Sequence, residues 1–424
     1  IEGLRWVAQQ AIAAFGYITL DSFEDGNTLT LPNQVLRLEA TGEYYRWDGA
    51  FPKTVPAGST PDSAGGIGDG AWVAVGAAAF GQSIAIVDSV KDLMAVSDKS
   101  ANNVRQVTGY VPGTDFGGGQ FYWDASKPKS QHNGITIFSP TVPWDGSYAG
   151  LTLFLAGTGE SDASGMGCWV RSYSGADILT SWAGHDVTGA NAADVSVTAA
   201  IKLSAKLKTA CRADAGSTIK CGFTTKVQAH DKHNIFTQSS FVLDGLKYFR
   251  FYAEKDVNID TYHPSYKERT VFFLNNCSAE IEGFKWNWEF TNYSINPDDT
   301  EHDQGEWWSG VVIEKSENVV IKNNMVNAAQ FFVRADTFSI DSFNNNVRVI
   351  DNYIKYVTNY CFLSRKLNYA EFSRNEVWYN GRTWHTYGEA FAPTTYTKNV
   401  VACNNKFYQQ IAEQSCITPG SYMD

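Results

Sequence analysis

The chain has no CxxC pair, and its seven cysteines, Cys168, Cys211, Cys221, Cys277, Cys361, Cys403 and Cys416, fall at irregular spacing. An odd count without paired spacing argues against a disulfide framework and against a zinc site. It fits buried reduced thiols in a protein made in a cytosol. No HxH or HExxH spacing occurs among the histidines, so His302 and His385 read as surface side chains and no metal is expected. No GxSxG signature supplies a serine nucleophile. No apolar run approaches the ~18 residues of a membrane-crossing helix, and no signal peptide is visible. Cations are short: 34 Lys and Arg stand against 45 Asp and Glu, a net charge of −11. That excess argues against nucleic acid as main partner and for solubility. The chain starts at Ile1 and stops at Asp424, which leads us to expect a fragment of a longer protein.

What is abundant is aromatic: 13 Trp, 21 Tyr and 25 Phe in 424 residues. Most of these are expected in cores and strands. Residues 1–15, "IEGLRWVAQQAIAAF", have helical apolar spacing, ended by Gly16. "QVLRLEATGEYYRWDG" reads as two strands around a Thr-Gly turn, and "AWVAVG" as a closing strand. "SVKDLMAVS" reads as a helix, and "GGGQFYWDA", "NGITIFSP" and "CWVRSYSG" as strands. Residues 193–210 carry a helical stripe through Val197, Ile201 and Leu207, with Asp194 and Ser196 near its start.

Beyond about residue 219 the helical period vanishes and a repeat takes over. "NVVIKNNMV" (318–326), "NVRVIDNYI" (346–354), "YAEFSRNEV" (369–377) and "NVVACNNKF" (399–407) align. Val319/Ile321, Val347/Val349, Ala370/Phe372 and Val400/Ala402 fill the second and fourth places. Asn324, Asn352, Asn375 and Asn405 recur at the seventh, and "AEIEGFKW" (279–286) is a looser copy without Asn. The repeats start 28, 23 and 30 residues apart. Two inward residues per short strand and a polar turn are the pattern of a parallel β-helix, with rungs stacked ~4.8 Å apart. The recurrent Asn is expected to stack as a hydrogen-bonded column. An antiparallel sandwich would space its strands at roughly 8–12 residues with hairpin turns instead.

"GEYYRWDGAFPKTVPAGSTP", followed by "GGIGDGAWVAVG", resembles the N-terminal anchor module of tailspikes from tailed phages of enteric bacteria. "GTDFGGGQFYWDAS" and "CWVRSYSGADILTSWAGHDVTG" are similar to the segment that introduces the β-helix in these spikes. The usual "GDGxTDD" before the capping helix is replaced by "GHDVTGANAADVS". The resemblance covers roughly residues 30–215. It implies a mainly β protein: small N-terminal α+β modules, then a right-handed parallel β-helix of the pectin-lyase-like kind, capped by a short α-helix. The expected divisions are 1–80 for the anchor, 81–185 for a second small β-rich module, 186–215 for the capping helix and lead-in, and 216–424 for the β-helix. The resemblance further implies a homotrimer on the virion tail, made in the host cytoplasm and acting outside it. Residues 1–80 would hold the phage tail, baseplate or sister spikes. The β-helix would bind and depolymerise host capsule or lipopolysaccharide O-antigen, with no cofactor, nucleic acid or membrane insertion. A net acidic chain repels an anionic polysaccharide at long range, so binding one must rest on local chemistry.

Glycoside hydrolysis needs two carboxyl groups, ~5–5.5 Å apart for retention and ~6.5–9.5 Å for inversion. "DDTEHDQGEWW", residues 298–308, packs five acids and two tryptophans into the longest insertion of the repeat. Asp303 and Glu306 are candidate catalytic carboxylates, facing Asp336 or Glu389 on neighbouring rungs. Trp307 and Trp308 are candidate stacking platforms. Arg334, Arg365 and Tyr387 complete the candidate substrate site. Asp298, Asp299 and Glu301 read as solvated. Asp336 beside Arg334 reads equally as a structural ion pair, and the loop lacks the spacing of an EF-hand. Hydrolysis is the leading expectation. A lyase with a Tyr, Lys or His base and an Arg neutralising a uronate is the nearest variant. A non-enzymatic adhesin or a spike that holds other spikes is the alternative of another class.

Overall fold

The computed structural model describes residues 17–68, 70–75, 85–100, 103–175, 177–230, 235–261, 269–288, 308–336, 342–378, 390–408 and 417. The helical stripe of residues 1–15 and most of "DDTEHDQGEWW" lie outside the described residues. The chain divides into two compact units, Ile1–Ala85 and Ile86–Asp424.

In the first unit the Thr-Gly turn joins Gln34–Arg37 to Tyr44–Trp47 as an antiparallel pair, and Trp72–Ala74 closes on the second of these strands. Ile18–Ser22 adds a parallel edge to the first. Phe23, Leu36, Tyr45 and Trp72 form the core. Phe23 meets Trp72 edge-on at 4.7 Å.

The second unit begins with a five-stranded sheet whose central strand, Gly117–Pro128, pairs antiparallel with both of its neighbours. "SVKDLMAVS" forms the helix Val90–Ala95, and Ser89 caps it by accepting the Asp92 N–H. Arg171 ties this sheet to the short helical turn Thr180–Ala183. Its guanidinium lies between the rings of Phe121 and Trp182, at 4.5 and 4.8 Å, and donates to the carbonyls of Ile135, Gly117 and Gly118.

From Cys211 the chain coils. Each rung has up to three strands, one on each of three faces. The first rung is Cys211–Arg212, Thr218–Lys220 and Ile235–Asp244, and the second is Phe249–Tyr252, Asn258–Asp260 and Arg269–Asn275. The third is Ala279–Glu282, Lys285–Asn287 and Ser309–Glu314. The fourth is Glu317–Lys322 and the long strand Met325–Asp336, and the fifth is Asn345–Ile350 and Tyr353–Arg365. The sixth is Ala370–Ser373, Glu376–Trp378 and Phe391–Pro393, and the seventh begins with Val400–Cys403 and Lys406–Tyr408. Successive rungs pair in parallel. The chain is therefore a parallel β-helix, as the repeat predicts. The inward columns are Ala279/Val319/Val347/Ala370/Val400 and Ile281/Ile321/Val349/Phe372/Ala402, in register residue by residue. Each fully buried Val or Ile in such a column contributes about 1.5–3 kcal/mol.

The Asn column lies at the corner between the first and second faces. The side chain of Asn324 donates to Asn352 Oδ1 at 3.1 Å, Asn352 to Asn375 Oδ1 at 3.1 Å, and Asn375 to Asn405 Oδ1 at 3.3 Å. The residue before each Asn has left-handed backbone: Asn323, Asp351, Arg374 and Asn404 at φ between 54° and 58°. Asn and Asp tolerate that region, and Arg374 is held there by a two-bond ion pair with Asp351, at 2.8 and 2.9 Å. In the third rung the equivalent corner is Gly283, and the N–H of Phe284 donates to Asn324 Oδ1, so the column starts without an Asn of its own.

Helix Asp194–Leu207 closes the N-terminal end of the coil. Val197, Ala200 and Ile201 are buried in the same cluster as the rungs. Asp194 caps no N–H of its own helix. Its carboxylate accepts the N–H groups of Gly222 and Thr224, which pins the first rung to the cap.

Candidate functional site

Three of the candidate residues lie on the third face. Along it, Val311/Val333/Phe362 and Ile313/Ala335 point into the interior cluster. Alternation turns the residues between them away from it. Phe331, Leu363 and Ala392, all buried, form with half-buried Tyr360 an apolar cluster separate from the interior one. Phe331 and Tyr360 lie on adjacent rungs with ring centroids 5.7 Å apart.

Beside this cluster the strand register sets Asp336 against Arg365 of the next rung. Asp336 Oδ2 lies 3.5 Å from Arg334 Nη2 and 3.5 Å from Arg365 Nη1. Arg334 also covers the Phe331 ring at 5.2 Å. Side-chain exposure is 1% for Asp336, 2% for Arg334 and 37% for Arg365, so one guanidinium of the three-residue cluster reaches solvent. The structure thus brings together Arg334, Asp336 and Arg365 of the sequence-derived candidates.

Trp308 stands just before the third-face strand Ser309–Glu314. It is partly buried against the coil interior, 6.0 Å from Trp288, and its carbonyl accepts the Phe331 N–H at 2.9 Å. Asp303, Glu306, Trp307, Tyr387 and Glu389, like His302 and His385, lie outside the described residues. The strands that flank them are described. On the second face Lys285–Asn287 and Glu376–Trp378, and on the third face Ser309–Glu314 and Phe391–Pro393, flank the same corner of the coil. In the fourth and fifth rungs Met325–Asp336 and Tyr353–Arg365 run through that corner without interruption.

Sequence reasoning missed Phe331 and Tyr360. The signal was available: aligning "FFVRAD" (331–336) with "YCFLSR" (360–365) puts Phe331 over Tyr360 and Asp336 over Arg365.

Fold and cluster define a parallel β-helix protein with small β modules ahead of the coil. Residues 10–77 match the family model for the tail spike TSP1/Gp66 receptor binding N-terminal domain, and residues 86–174 match that for the phage tail protein small four-stranded beta-sheet domain. Up to residue 174, then, the chain is similar to modules of phage tail proteins. A curated relative, a capsule KL64-specific depolymerase of a Klebsiella phage, is 38% identical over 81 residues, which is 19% of this chain and 8% of that protein. Among solved structures, the gp42 tailspike of an Acinetobacter phage aligns at TM-score 0.44 and 11% identity, over 76% of this chain and 53% of that one. The enzymatically active domain of tailspike protein 4 from bacteriophage CBA120 aligns at TM-score 0.27 and 15% identity, over 97% and 64%. The chain spans less than two thirds of the length of each of these proteins.

Proposed function

We propose that this chain belongs to a trimeric tailspike that binds and depolymerises host surface polysaccharide, capsule or O-antigen, during attachment. The observation that carries the reading is the joining of a tail-spike-like N-terminal module and a phage-tail-like β-sheet module to a β-helix with an apolar, arginine-bearing cluster on its third face. The name of the curated relative supports the same activity class. In this reading residues 1–80 attach the spike to the tail or to a sister spike. The β-helix meets the glycan on its third face, beside the corner flanked by Lys285–Asn287 and Ser309–Glu314 and by Glu376–Trp378 and Phe391–Pro393.

Hydrolysis would use a carboxyl pair drawn from Asp303, Glu306 and Glu389, with Trp307 or Trp308 against a sugar ring and Tyr387 beside it. Asp336 is already engaged by two guanidinium groups, which suits it to positioning. Glu306→Gln should keep fold and glycan binding and lower turnover by roughly 10²–10⁴, the usual worth of positioned acid–base catalysis. Trp308→Ala should mainly weaken binding. Reducing-end release from purified capsule reads both. Wild-type turnover in Glu306→Gln and in Asp303→Asn would move the catalytic pair elsewhere.

One observation favours a lyase as second reading: a guanidinium pair stands near a half-buried tyrosine, Tyr360. Mass spectra of the products separate the two, since hydrolysis adds water and elimination leaves an unsaturated end.

A further inference from the structure

The five-stranded sheet and the coil meet inside the second unit, and they exchange side chains across the joint. Ile135, just before the strand Ile137–Phe138, is buried in the interior cluster of the coil. Val195 of the cap helix packs in return against the sheet's own cluster of Phe121, Phe138 and Trp169, and Leu155 packs against both. Glycines let the backbones close. A Cβ on Gly117 would run into the Ser181 carbonyl oxygen, and one on Gly184 would stand 3.0 Å from the Tyr110 ring. Both have left-handed backbone, at φ 74° and 80°, which glycine adopts without strain.

Arg171 sits in this joint at the end of the strand Met166–Arg171 and is 2% exposed. Among the described residues no carboxylate pairs with it. A buried cation without an anion is costly, so other groups must offset it. The sheet side supplies the three carbonyls that its N–H groups meet and the ring of Phe121. The coil side supplies the ring of Trp182, which covers the guanidinium at 4.8 Å. Desolvation is what makes such a ring contact strong. Trp182 is itself fixed to the coil. It packs against the interior cluster, and its neighbour Ser181 donates N–H and hydroxyl to Asp214, at 2.9 and 2.7 Å. Asp214 stands at the first corner of the coil, between Cys211–Arg212 and Thr218–Lys220. A planar guanidinium can lie between two rings and donate in its own plane at once, whereas an ammonium group cannot.

We infer that Arg171 clasps the sheet to the coil as one rigid lever, so that a load taken up by the coil reaches the sheet with no hinge between them. The lever's part in attachment rests on the tailspike reading, in which the load is the host glycan. The clasp itself does not depend on that reading.

The test uses the full-length spike as wild type, R171M, R171K and W182A. Hydrogen exchange is followed by mass spectrometry over residues 110–123 and 178–185, the two sides of the joint. Helix Val90–Ala95 and the rungs from Ala279 to Lys322 serve as references, one in each body. In R171M both sides should exchange faster together, by about tenfold or more, as in a local opening, with the references unchanged. W182A should open the same two segments from the coil side. R171K should resemble R171M, because it keeps the charge and loses the plane. On purified host polysaccharide the variant spikes should cleave as wild type does, while virions that carry them should lose plating efficiency.

Wild-type exchange at the joint in any folded variant overturns the clasp. So does faster exchange spread evenly over the references, which would make Arg171 a general support of the fold. An open joint with full plating efficiency overturns the lever. A wild-type spike that neither binds nor cleaves host polysaccharide fails the depolymerase reading, and the exchange result still decides the clasp.

Discussion

Asn352 carries the coil's internal order on a single side chain. Its Oδ1 accepts the backbone N–H of Asn324 at 3.0 Å and the side-chain N–H of the same residue at 3.1 Å. Its own amide nitrogen faces the carbonyls of Ile321 and Ile350, at 3.0 and 2.9 Å, as well as Asn375 Oδ1. Truncation would orphan several buried groups, each costing about 1–3 kcal/mol. Asn352→Ala is therefore expected to destabilise the coil by about 3 kcal/mol or more. Asn405 is half-buried, so water can replace part of its bonds, and Asn405→Ala should cost less than Asn352→Ala. Denaturant midpoints check the difference, or half-lives at fixed temperature if unfolding is irreversible. Equal losses would mean that the column does not act as a continuous buried element.

At the scale of elements, the lead-in to the coil is tied by His185. It is fully buried, with Nδ1 facing the Thr180 hydroxyl at 2.9 Å and Nε2 facing the Thr218 carbonyl at 3.1 Å. Asp214 accepts from Thr180 and Ser181 around it. Burial lowers the proton affinity of His185, against the opposite pull of Asp214 and Asp186. Burial lowers that of His132 as well. The unfolded chain binds these protons near pH ~6.5, and the folded chain only at lower pH. Their stabilising effect is thus complete above about pH 6.5 and is lost as pH falls from there through the folded-state value. The thermal midpoint of the second unit should drop between about pH 7 and pH 5. His185→Gln should make that drop shallower. Parallel wild-type and variant profiles would remove His185 from the account.

At the scale of the molecule, the first unit has its own core of Phe23, Leu36, Tyr45 and Trp72. A domain with a separate core can be removed without unfolding its neighbour. Deleting residues 1–85 should abolish incorporation of the spike into virions and leave polysaccharide binding unchanged, as plaque assays and interferometry would read. Loss of glycan binding in a deletion that is still folded would refute that division of labour. The proposed trimer is checked by light scattering on the full-length spike, where a monomer at micromolar concentration would contradict it.

The sequence by itself determined the coil from about Ala279 onward, the Asn column and the capping helix. Each rests on a period short enough to read locally: alternate inward residues, a recurrent Asn, and the stripe through Val197 and Ile201. The resemblance set the start of the β-helix at 216, but the repeat itself could not be traced through the first two rungs, because Cys211–Arg212 and Phe249–Tyr252 lack the Asn that marks the later copies. The candidate site was legible in part. "VRAD" and "LSRK" stood out as charged outward segments, but their meeting was decided only in three dimensions. Asp336 and Arg365 are 29 residues apart and touch because one turn of the coil happens to return the chain in that register. That return depends on the summed lengths of strands and corners between them, which no local pattern encodes. The same register took Phe331 and Tyr360 out of the general pool of aromatics and set them, outward, beside the arginines.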